Sequence, residues 1–129
     1  MYELKRSNDG KLTEELKLGE LILTIEIDVE KVAREYRSKQ LELIEAKKLT
    51  DISDDSLDAK YEQLGNAVIS VFNLIFGYGN TEKILQFYEN NYAEMLIEVM
   101  PYIQNDLVPK ITQKAQQMKS NVKLRYKQK

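Results

Sequence analysis

The side chains that carry most acid–base, nucleophilic and metal chemistry near neutral pH are missing from this sequence: its 129 residues include no His and no Cys. That removes thiolate catalysis, thiolate zinc sites, disulfide scaffolds and most hydrolase mechanisms together. The remaining chemistry-bearing pattern is Asp51, Ser53, Asp55 and Glu62, which take the first, third, fifth and twelfth places of a calcium-loop spacing. The sixth place needs Gly for a sharp turn and has Ser56, and the eighth has Asp58 where an apolar residue is usual. Asp54, Asp55 and Asp58 are better read as charges favouring the positive end of a following helix. Gly77-Tyr78-Gly79 lacks a third Gly, a Lys-Ser/Thr pair and a preceding strand, so it reads as a turn and not a phosphate loop. Carboxylate pairs such as Glu14 and Glu15, or Glu94 and Glu98, arise without purpose in a chain that is 31% charged. No enzyme activity, metal or cofactor is expected. What stands out instead is a run of rings and thioethers, Tyr78, Phe87, Tyr88, Tyr92, Met95, Met100 and Tyr102, whose residue types suit an amphipathic contact surface as well as a core.

Charge is polarised along the chain. All 21 acidic residues lie at or before Asp106, and from Lys110 onward there are seven positive residues and no negative one. Residues 1–109 hold 12 positive against 21 negative charges, so the two parts should attract, within one molecule or between copies. Three readings of the basic segment compete: a solvated terminal helix, a nucleic-acid contact, and docking onto an acidic protein surface. Nucleic acid is disfavoured, because Tyr126 is the single stacking platform in the tail and the rest of the chain is acidic. No run approaches the length of a membrane span and MYELKRSNDG has no apolar stretch after it, so a cytoplasmic protein without a membrane segment is expected.

The elements that must position these residues read as α+β, mainly α: a small N-terminal β-hairpin or sheet followed by a bundle of about four to five helices. Met1 to Arg6 reads as a strand, Ser7-Asn8-Asp9-Gly10 as a turn, and Gly19 to Asp28 as a second strand in which Leu21, Leu23, Ile25 and Ile27 alternate with Ile22, Thr24 and Glu26. Leu12, Leu16 and Leu18 extend the sheet. Asp28 caps a first helix reaching about Lys48, with Val29, Val32, Ala33, Tyr36, Leu43 and Ile44 as its apolar stripe. A second helix over Asp54 to Phe76 repeats Tyr61, Leu64, Val68, Val71, Phe72, Ile75 and Phe76 at three- and four-residue intervals and is the expected centre of the core. Gly77 and Gly79 end it. A short helix from Asn80 or Thr81, a turn at Asn90-Asn91, a helix holding Tyr92, Met95 and Leu96, and a last helix capped by Asn105 or Asp106 with Pro109 in its first turn complete the pattern. The apolar periodicity dissolves after Met118. A single domain over 1–129 is expected, made of a β segment at 1–28, a helical core at 29–118 and a basic tail at 119–129 read as frayed or disordered.

The stretch Gly65 to Lys110 carries Phe72-x-x-Ile75-Phe76-Gly77, Asn80-Thr81-Glu82-Lys83-Ile84-Leu85, Phe87-Tyr88-Glu89, Tyr92-x-Glu94-Met95-Leu96, Pro101-Tyr102-Ile103 and Pro109-Lys110. In this series it resembles the tail assembly chaperones of siphophages and prophages of Gram-positive bacteria. The resemblance implies a protein that binds the long helical tape measure protein and keeps it soluble until tail tube protein polymerises around it. It further implies self-association into a homo-oligomer. A tape measure protein exposes a long apolar stripe that would aggregate unprotected, and adaptable Met and aromatic residues can cover such a stripe without reading one sequence. Tyr88, Tyr92, Met95, Met100 and Tyr102 are the expected partner-binding residues. Two other classes remain open: a structural tail component, which would be found in purified particles, and a small nucleic-acid-associated regulator, which would bind DNA or RNA at physiological salt.

Overall fold

A computed structural model describes the backbone of residues 1–4, 10–50 and 57–127, and the side chains of these except at 49–50, 57–59 and 124–127. The chain is α+β and mainly α. Strands β1 (Lys11–Leu18) and β2 (Leu21–Asp28) form an antiparallel hairpin in the register Lys11 opposite Asp28 through Leu18 opposite Leu21. The alternation in β2 does what period two requires: Leu23, Ile25 and Ile27 are buried and their neighbours face out. The hairpin closes through Gly19, whose φ of +60° is a conformation open to glycine at little cost. The ring of Phe87 stands 3.2 Å from where a Cβ at Gly19 would be.

Among the described residues six helices and one π turn follow: α1 (Val29–Thr50), α2 (Leu57–Phe76), α3 (Tyr78–Phe87), α4 (Tyr92–Glu98), α5 (Met100–Tyr102), the π turn Ile103–Leu107 and α6 (Val108–Lys127). Asp28 starts α1 as its composition suggests, its Oδ1 accepting the Lys31 N–H at 3.2 Å. α1 and α2 lie side by side, and β2 covers part of both. The core runs between them: Val68, Val71, Phe72 and Ile75 of α2 are enclosed, with Phe72 and Phe76 edge to face at 5.5 Å. Asn80 joins the layers, its Nδ2 donating to the Thr24 carbonyl at 2.9 Å and the Phe76 carbonyl at 3.1 Å.

Several expectations are corrected. Met1–Leu4 form no strand, and β1 is Lys11–Leu18; the turn expected at Ser7–Asp9 lies outside the described residues. Leu21 is exposed, because it sits beside the turn and Leu18 fills the core there instead. Gly77 does end α2, with φ +84°, but Gly79 lies inside α3. No cap at Asn105 or Asp106 opens α6, since the chain from Tyr92 onward continues as one bent rod. Val99 donates to Met95 O at 2.8 Å and Ile103 to Val99 O at 3.1 Å, and the π turn carries the rod on between Pro101 and Pro109, whose nitrogens cannot donate. α6 also runs to Lys127, well past the point where its apolar pattern fades.

Candidate partner-binding surface

The five residues expected to bind a partner do not form one surface. Met95 and Met100 lie in the core, 0% and 4% exposed, beside Val99 and Ile103, so their thioethers pack the bundle and are not available to a partner in this structure. Helix spacing explains it: Met95, Val99, Ile103 and Leu107 recur every four residues and form the inward stripe of the bent rod. The three tyrosines are half-buried, each tied to different neighbours. Tyr92 lies against Gly65, where a Cβ would come within 2.3 Å of its ring, and packs on Tyr61 at 5.4 Å. Tyr88 hydrogen-bonds Glu98; burial first, and then the carboxylates of Glu98 and Glu94, push its pKa up. Tyr102 is likewise pushed up, by burial and then by Glu14 and Asp106. Glu14 itself is on the inner side of β1, where Lys110 Nζ meets its Oε1 at 3.0 Å. That hydrogen bond raises the pKa of Lys110 and ties β1 to α6.

An apolar groove lies elsewhere, along the seam of α1 and α6. The helices run antiparallel, and the α1 side of the groove runs from Val29 to Arg37. The groove has two sections, of about 320 Å³ and 620 Å³, that share Ala33, Ala115 and Lys119. Small residues, Ala33 and Ala115, stand one on each wall. Val32 and Ile111 floor the first section, and Met118 and the exposed Val122 line the second. The rim is basic: Arg34, Arg37, Lys119 and Lys123, against Glu30, which pairs with Arg34 at 3.8 Å. Tyr36 lines the first section; its hydroxyl is buried without a hydrogen-bond partner among the described residues, and burial pushes its pKa up.

No catalytic constellation accompanies the groove. Among the described residues no three His, Cys, Asp or Glu side chains are grouped to hold a metal ion. Asp51, Ser53 and Asp55 of the calcium-like spacing lie outside the described residues. No described helix is long and apolar enough to cross a membrane. No family model matches the chain, and neither a curated protein nor a solved structure matches it.

Proposed function

We propose that this protein is a tail assembly chaperone of a siphophage or prophage, acting in the host cytoplasm by holding the tape measure protein soluble until tail tube protein surrounds it. The series of residues from Phe72 to Lys110 supports the family. The observation that carries the mechanism is the groove between α1 and α6. By helical rise, its α1 wall of nine residues is about 14 Å long and its α6 wall of sixteen about 24 Å. A helical partner laid along this seam can therefore meet both walls for about two and a half turns and the α6 wall for about four. Apolar walls lined by Ala, Val and Met tolerate varied side chains, as a chaperone of a long repetitive helix requires.

Co-expression with the tape measure protein of the same genome tests the reading. The expected result is a higher soluble yield of that protein and co-purification of the two. If the tape measure protein is equally soluble alone, or the two never co-purify, the reading fails. The finished tail should lack this chain; its presence there at stoichiometric levels would favour a structural component.

A further inference from the structure

We infer that the α1–α6 groove selects one kind of occupant, an amphipathic helix whose apolar stripe is flanked by carboxylates. This rests on the chaperone reading for the identity of the natural partner, but not for the chemistry. The argument is charge complementarity around an apolar floor. Of the five charged residues lining the groove, Arg34, Arg37, Lys119 and Lys123 are positive, and the one acid, Glu30, is engaged with Arg34. Arg34 and Arg37 stand on the α1 wall and Lys119 and Lys123 on the α6 wall, so cations rise on both sides of the seam. A helix seated with its apolar residues on Val32, Ala115 and Met118 would bring its flanking positions to these cations on both edges.

The shape excludes the other anionic partners. A bilayer is flat and cannot enter a seam between two helices. A duplex presents phosphates and not an apolar ridge to a floor of Val, Ala, Ile and Met. Outside the groove the chain carries 20 acidic residues against 15 basic ones, so it does not share the groove's basic character. The cations are therefore concentrated where the apolar opening is. Long-range attraction of an acidic helix to this face would speed its capture, and a basic helix would be repelled.

The test uses the full chain and three labelled synthetic peptides of roughly four turns: one with a Leu stripe flanked by Glu, the same stripe flanked by Lys, and a scramble of the first. Fluorescence anisotropy should show the Glu-flanked helix binding at least about tenfold tighter than the other two, with affinity falling as salt rises. Ala33→Glu, at an exposed position shared by both sections of the groove, should abolish binding. Should that variant misfold by circular dichroism, the exposed pair Arg34→Gln with Lys119→Gln should still weaken binding and flatten its salt dependence. Equal affinity for the Glu and Lys peptides, or undiminished binding by the variants, would overturn the inference. So would a self-associated chain that Ala33→Glu dissociates, which would make a second copy the occupant, or displacement of the peptide by duplex DNA or anionic vesicles. Tape measure protein that co-purifies undiminished with Ala33→Glu would remove the groove and leave the chaperone role. A Glu peptide held in the groove by a chain that never captures tape measure protein would do the reverse.

Discussion

Gly65 shows how a single missing carbon shapes the bundle. Gly in a helix interior costs roughly 1 kcal/mol relative to Ala, so its place in α2 needs a reason, and the ring of Tyr92 supplies one. Gly65→Ala should destabilise by about 1–3 kcal/mol through overpacking, in spite of the gain in helix propensity. Adding Tyr92→Ala should recover part of the loss, and additive effects of the two changes on the denaturant midpoint would show that the ring is not the cause. Phe72, fully enclosed at the centre of α2, should cost about 3–5 kcal/mol when changed to Ala. An unaltered thermal midpoint would contradict its central position. Titration gives a third test. Tyr36, Tyr88 and Tyr102 are all held above their ordinary value of 10.0, and Lys110 above 10.5. Each binds its proton more tightly folded than unfolded, so the stability it contributes is complete below the ordinary value and is lost as pH rises through the folded one. Alkaline unfolding should therefore set in above about pH 10, and a midpoint that rose there would refute these environments.

Among the elements, the helix that sequence describes least well is α6, which forms one wall of the groove. Period two in β2 and the three- and four-residue intervals in α2 named their buried sides from Leu23 and Leu64 onward, while Leu21 and Tyr61 at the leading ends of the expected stripes are exposed. Met95 and Met100 misled because the segment around them is apolar on several sides, and composition alone does not say which side meets the core. The groove was hidden for a different reason: its walls, Val29–Arg37 and Val108–Lys123, lie far apart in sequence and meet only in the tertiary fold. Its local trace was the pair Ala33 and Ala115, small residues in otherwise bulky stripes. Ile44, expected in the α1 stripe, is 40% exposed, whereas Leu43 and Ala46 beside it are buried. At the start of α4, Asn91 accepts the Glu94 N–H at 3.1 Å, and Asn91→Ala should cost about 0.5–2 kcal/mol, read from urea unfolding. Truncation after Met118 should leave that stability nearly intact while removing Lys119, Val122 and Lys123 from the groove. A truncated chain that still bound an acidic helix as tightly would show the second section to be dispensable.

At the scale of the whole molecule, an acidic body ending in a basic helix should associate with copies of itself, more weakly as salt rises. Light scattering that found a monomer at low and high salt alike would count against a homo-oligomer. The ion pair between Glu14 and Lys110 joins nearly the first described element to the last, and this sets a timetable for synthesis. A two-stranded hairpin alone is marginal in water, so β1 and β2 leave the ribosome without a lasting structure. Their apolar face waits for α2, and Glu14 waits until Lys110 emerges, which at ~5–20 residues per second is roughly 5–20 s after Glu14 itself. Nascent chains arrested ahead of α2 should remain open to protease in the hairpin, chains arrested once α2 has emerged should resist, and emergence of Lys110 should add only a small further gain.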